Sequence, residues 1–160
     1  MVDPASLQVT AGVIAPPPAI YAVGLGLGLL GDRLLSLAPL PGPPALIWSL
    51  AVVTALIGIL CASAALRLFR TLKTPAEPWK PTKALARDGI YRFTRNPMYL
   101  GMALLMIAAG LALRSIGVLA MLPPVILIVD RFVIAREERY LETVFGNDYA
   151  AYRATVRRWF

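Results

Sequence analysis

The sequence predicts an all-α, polytopic integral membrane protein with about four transmembrane helices, a C-terminal helical hairpin and a cytoplasmic amphipathic tail helix. Three observations predict it. Hydrophobic residues fill 58 % of the 160 positions and charged residues only 16 %, a balance foreign to an ordinary soluble domain. The apolar residues gather in four long runs, as spanning helices require. Of the sixteen Lys and Arg, fourteen fall in two segments outside those runs, which is how basic residues flank a membrane.

The first run extends from about Pro18 to Leu40 and is interrupted by Gly31, Asp32 and Arg33. Those two charges are costly in hydrocarbon unless paired or snorkelled, so they sit near an interface, pair with each other's neighbours, or end the helix early. Within this run "GLGLGLL", Gly24 to Leu30, reads as a close-packing face of a membrane helix. The turn "PLPGPP", Pro39 to Pro44, leads into the second run, Ala45 to Leu66, the clearest span. The third run is Pro97 to Leu113, and the fourth is Ser115 to about Val133, with Pro123 and Pro124 near its middle. Only Arg114 and Ser115 join these two, so they are expected to form a tight hairpin.

Eight basic residues lie between the second and third runs, and six follow the fourth. An even number of spans puts both segments on one side, expected to be the cytoplasm of a bacterial inner membrane, together with both termini. The net charge of +7 therefore reads as contact with the membrane surface and not with nucleic acid. No basic residue precedes Arg33; without the charged region of a signal peptide, the first run is expected to be retained. The linker Thr71 to Gly89 has three prolines and reads as an ordered, non-helical loop. One membrane domain is expected: N-terminal helices over 1–70, a cytoplasmic loop over 71–96, and a hairpin with the cofactor-binding part over 97–160.

The chain has no histidine, which excludes histidine bases, triads and metal ligands. Its single cysteine, Cys61, lies in an apolar run and reads as a structural thiol. The polar chemistry is concentrated in "GIYRFTRNPMYLG", Gly89 to Gly101. Asparagine before a proline is a favoured helix cap, so Asn96 is expected to cap the third helix. With Arg92 and Arg95 alongside, that helix end either seats an anion or simply meets lipid headgroups.

The tail "DRFVIAREERYLETVFG", Asp130 to Gly146, places Glu137 in the middle of an apolar helix face at 100° per residue. Asp130, seven residues earlier, falls almost in line with it. Inward-facing acids of this kind either form a site or join a salt-bridge lattice with nearby arginines. In "NDYAAYRATVRRWF", Tyr149, Tyr152, Val156 and Trp159 recur at helical spacing. This segment reads as an interfacial helix with aromatic anchors.

Together these motifs resemble the integral-membrane methyltransferases, the isoprenylcysteine carboxyl methyltransferase and phospholipid methyltransferase superfamily. The resemblance rests on Gly89, Tyr91, Arg92, Arg95, Asn96, Pro97, Tyr99 and Gly101 in one motif. It rests also on Glu137, Glu138, Leu141, Phe145, Gly146, Tyr149 and Tyr152 in the other. It covers about Thr82 to Phe160. Many members carry histidine where this chain has Asn96.

The resemblance implies a methyltransferase that takes its methyl group from S-adenosylmethionine and acts on a lipophilic, membrane-embedded acceptor. That acceptor would be an isoprenylcysteine-like carboxylate, a phospholipid amine or another small lipophilic molecule. The expected cofactor-binding residues are Tyr91, Arg92, Arg95, Asn96, Pro97, Tyr99, Gly101 and Glu137. Arg92 or Arg95 would hold the donor carboxylate, and Glu137 the ammonium or ribose hydroxyls. Tyr91 and Tyr99 would pack on adenine or fix the loop. The expected catalytic pair is Arg131 and Glu138, two helical turns or roughly 10 Å apart, flanking a small polar group of the acceptor. Two other classes share some of these features: a nicotinamide-dependent membrane reductase of the sterol reductase type, and a non-catalytic lipid-binding membrane protein.

Overall fold

Proline sets three of the helix starts. Pro17, Pro44 and Pro97 open α1 (Pro17–Leu34), α2 (Pro44–Thr71) and α3 (Pro97–Ala112), at positions where a missing N–H has no helical partner to lose. A different device starts α4 (Ile116–Ile128): the Ser115 hydroxyl accepts from the Val118 N–H at 2.9 Å. The chain then passes through a π-helical segment, Val129–Ile134, into α5 (Ala135–Phe145). Gly146, at φ 50°, ends this rod in a conformation that suits glycine, and α6 (Asn147–Thr155) follows. This computed structural model describes residues 12, 15–77 and 80–159, and every regular element among them is helical. The expected placing of the N-terminal residues, and positions 78 and 79 of the linker, lie outside the described residues.

The helices do not pack in chain order. α2 packs on α3, α3 on α4, and α4 on α1, so the clearest apolar helix sits at one edge of the row. Two close approaches hold it together. A Cβ at Gly101 of α3 would meet the Gly58 carbonyl of α2 at 2.8 Å, and one at Gly28 of α1 would meet the Val118 Cα of α4 at 2.5 Å. The expected packing role of the glycine-rich stretch is thus met by Gly24 and Gly28 facing α4, while Gly26 faces open space.

Four spans were expected, and among the described residues two helical stretches are long and apolar enough to cross a membrane: Pro44–Thr71 and Ile116–Phe145. Their mean hydropathies are 2.4 and 2.2, yet only 17 % and 28 % of their most apolar windows are buried within the protein. Apolar surface turned outward on this scale suits lipid. The other two fall short for identifiable reasons. α3, at 16 residues, reaches about 24 Å at 1.5 Å per residue. α1 ends at Leu34, before Leu40, and its last turn carries Arg33 and Asp32, which accepts hydrogen bonds from the Ser115 hydroxyl and, at 2.7 Å, the Gly117 N–H at the start of α4. The hairpin forms as expected, with Arg114 at φ 51°. Cys61 is a free, half-buried thiol.

One apolar cluster, with Tyr21, Met106, Val118, Val125 and Val129, fills the space between α1, α3 and α4. A second gathers Ala65, Ala86, Tyr91, Tyr149 and Tyr152 where α2 ends. It fastens α6 and the linker to the bundle, and the candidate site lies beside it.

Candidate functional site

A cavity opens between the end of α2, the linker, the start of α3, and α5 with α6. Counting its open mouth, it holds about 830 Å³ of empty space. Its aromatic wall is built from Phe69, Tyr91, Tyr149 and Tyr152. Tyr91 stands edge-on to Phe69 at 5.7 Å between ring centres, and its carbonyl accepts from the Tyr152 hydroxyl at 2.7 Å. The aromatics of α6 are therefore wall and core, and the sequence reading of them as interfacial anchors is corrected. Tyr149 is 1 % exposed, and burial pushes its hydroxyl pKa up to about 12, so it stays protonated. α6 also ends at Thr155, so Trp159 does not continue its spacing.

The polar wall is carried by α3 and α5. Glu138 is buried and held from two sides. Arg95 Nη2 donates to it at 2.8 Å, and Arg158 donates through Nε at 3.1 Å and Nη2 at 2.5 Å. Arg158 Nη1 also donates to Asp130 at 3.0 Å. The hydrogen bond to Glu138 is the main reason that Arg158 holds its proton even more firmly than usual. Arg95 Nη1 donates to the carbonyls of Arg153 and Val156 at 3.0 and 2.9 Å. Its Nε is buried without a partner, the one unmet donor on a residue of this wall among the described residues.

Glu137 differs from its neighbour. It lines the cavity and accepts from the Tyr99 hydroxyl at 2.5 Å. No Lys or Arg among the described residues forms an ion pair with it. A carboxylate in this setting has an acceptor oxygen to offer and a negative charge to balance. Tyr99 also borders a second cavity, which it shares with Phe69 and Met98 and which reaches Pro17, Leu66, Arg70 and Met102.

The expected site residues divide accordingly. Tyr91, Arg95, Asn96, Tyr99, Glu137 and Glu138 come together around one cavity. Pro97 is buried at the start of α3, behind them. Gly101 faces α2 and serves the helix contact. Arg92 is exposed and lies outside the cavity lining. Asn96 occupies the cap position but makes no capping bond; its amide donates to the Arg158 carbonyl at 3.0 Å. The amides that open α3 are left without a side-chain cap.

The expected pairing of Arg131 with Glu138 is corrected. Arg131 has a side chain 69 % exposed and pairs with Asp130, at 3.8 Å. The π segment between them is the cause. A turn closed by i→i+5 bonds holds more residues than an α turn, so seven residues no longer return to the same face. The same change of phase takes Asp130 out of line with Glu137 and turns it to Arg158 and the Trp159 indole at 3.0 Å. Sequence reasoning missed Arg158, which no periodicity ties to Glu138. It missed also Tyr140, whose hydroxyl accepts from the Thr82 N–H at 3.0 Å and fastens the linker over the cavity.

A family model described as phospholipid methyltransferase matches residues 46–148. The chain belongs to the phospholipid methyltransferase family. A relative in Haemophilus influenzae, named only as an uncharacterized protein, is 42 % identical over 66 residues, which are 39 % of this chain and 98 % of that protein. No solved structure matches. Methyl transfer in general is the activity that phospholipid methyltransferase membership carries. The matched span takes in α2 and the polar walls of α3 and α5, and it ends before Arg158.

Proposed function

We propose that the protein uses S-adenosylmethionine to methylate a lipophilic acceptor held in the membrane, with the donor bound in the cavity between α3 and α5. The observation that carries this reading is a family-matched cavity lined by Glu137, a carboxylate without a cation, and by Arg95, whose buried Nε has no acceptor. They fit a ligand that bears both a cation and a carboxylate. When bound, S-adenosylmethionine supplies a methyl group made electrophilic by its sulfonium.

The chain's own residues then bind, orient and exclude water. Arg95 Nε and the uncapped amides of α3 hold the carboxylate. Glu137 holds the ammonium or ribose hydroxyls, with Tyr99 fixing its orientation. Phe69 and Tyr91 offer an aromatic face to the adenine. Displacement at a methyl group needs alignment and dryness more than covalent help, so the absence of histidine is no obstacle. The second cavity shares Tyr99, Met98 and Phe69 with the first, and its Pro17, Leu66 and Met102 wall suits the acceptor's hydrocarbon part.

In this reading one membrane domain comprises helices over 1–70, a cytoplasmic loop over 71–96 and the donor-binding part over 97–160. α1 and α3 complete four membrane-embedded helices with α2 and the Ile116–Phe145 rod. The donor site faces the bacterial cytoplasm, a placement that the distribution of the fourteen basic residues supports. The deciding experiment is equilibrium binding of labelled S-adenosylmethionine to the purified protein in detergent. Saturable binding supports the proposal. No binding, or displacement by a nicotinamide dinucleotide, overturns it. Orientation is tested with cysteines placed at Thr82 and Thr155. Only a membrane-permeant reagent should label them in intact cells, and labelling by an impermeant one overturns the cytoplasmic placement.

A further inference from the structure

The segment Val156–Trp159 lies as a strap across the outer side of the polar wall. Its backbone is tied to the start of α3 in three places. The Arg157 carbonyl accepts from the Arg95 N–H at 3.0 Å. The Arg158 carbonyl accepts from the Thr94 hydroxyl at 3.1 Å and the Asn96 amide at 3.0 Å. Its side chains reach the other way, to the rod: Arg158 to Glu138 and Asp130, and Trp159 to Asp130. The strap thus joins the two helices that carry the donor site.

Charge explains why one arginine holds this place. Glu137 and Glu138 are adjacent and both border the cavity. With Arg158 present, Arg95 and Arg158 balance Glu138 and Asp130, and Glu137 alone is left uncompensated. Without it, Glu138 would be buried with half its partners and would draw on the remaining N–H groups of Arg95. The fork geometry matters as well, since one planar guanidinium spans both carboxylates.

We infer that Arg158 is a positioning residue of the donor site: by satisfying Glu138 and Asp130 together, it keeps Arg95 from being drawn further onto Glu138 and leaves Glu137 as the wall's carboxylate without a cation. This rests on the donor reading above and extends it to a residue that touches no ligand and lies outside the family-matched span.

The test is a double-mutant cycle read as S-adenosylmethionine affinity in detergent, with thermal melting in the absence of ligand as a second readout. Arg158→Ala should weaken binding about tenfold, whereas Arg157→Ala, an exposed residue of the same strap, should leave it unchanged. In a Glu138→Gln background, Arg158→Ala should cost less than about twofold, because the charge it balances beside Glu137 is gone. A merely structural strap would give the same loss in both backgrounds, in step with the fall in melting temperature, and that result overturns the inference. Should Arg158→Ala not fold, Arg158→Lys keeps the charge without the fork and should lose affinity about threefold; wild-type affinity in that variant also overturns the inference. If wild type itself fails to bind the donor, the functional reading falls and the inference with it. Wild-type binding with no loss in Arg158→Ala removes only the positioning role.

Discussion

The two ends of the helical row both bury polar groups, and they treat them differently. At the end formed by Leu40, Asp32 and Ser115, every such group finds its partner within the protein. Asp32 accepts from Ser115 and the Gly117 N–H. Arg114 donates twice to the Leu40 carbonyl, at 3.0 and 2.7 Å, and its own carbonyl accepts from the Leu40 N–H at 2.8 Å. At the opposite end, a denser network of charges leaves Glu137, on a cavity, without a cation, and leaves the buried Nε of Arg95, a residue of the same cavity, without an acceptor. Burying polar groups is costly at either end. Saturation marks a scaffold, and unmet valence beside a cavity marks a site.

The comparison breaks most visibly at Arg95. Arg95→Ala leaves Glu138 buried with Arg158 alone and frees the carbonyls of Arg153 and Val156, so it should cost about 3–5 kcal/mol of stability and abolish donor binding. Thermal melting and donor binding in detergent check both effects. A variant that folds like wild type would show that this end is less coupled than the geometry requires.

The other end should show the opposite separation. Asp32→Ala removes the partner of a serine hydroxyl and a backbone N–H, and it should cost about 2 kcal/mol. Donor affinity should stay within about twofold of wild type, since the α4 cap lies away from the cavity. A large loss of affinity would mean that the two ends are not independent.

Glu137→Gln sharpens the contrast from the functional side. Donor affinity should fall about tenfold, or about 1.4 kcal/mol. The melting temperature should hold or rise, because a buried charge without a cation contributes nothing to the fold. Glu142→Gln is the control. Its carboxylate pairs with Arg153 at the surface, where such pairs contribute little, and it should bind as wild type does. Equal affinities for wild type and Glu137→Gln would remove Glu137 from the site.

The smallest effect belongs to Arg131. Exposed and paired with Asp130, Arg131→Ala should change donor affinity and melting by less than about twofold. A large loss of methyl transfer with binding intact would restore the role that the α-helical spacing suggested.

Much of this was legible in the residues alone. Proline and serine mark where helices start, two residues suffice for the hairpin, and the glycines of α1 identify a packing face. Each is a local effect of backbone sterics or a missing side chain, and it acts within a few positions of its cause. The two motifs also showed which segments meet, since Tyr91, Arg95, Tyr99 and Glu137 do line one cavity. Which of two adjacent glutamates is neutralised and which stays available was decided only by tertiary structure. So were the phase that separates Arg131 from Glu138 and the inward packing of Tyr149 and Tyr152. Those outcomes depend on a π turn that resets the register and on partners far along the chain: Arg95 is 43 residues from Glu138 and 61 from the Val156 carbonyl. A helical period assigns a side chain to a face, but its charge is balanced by whatever the fold brings within about 3 Å.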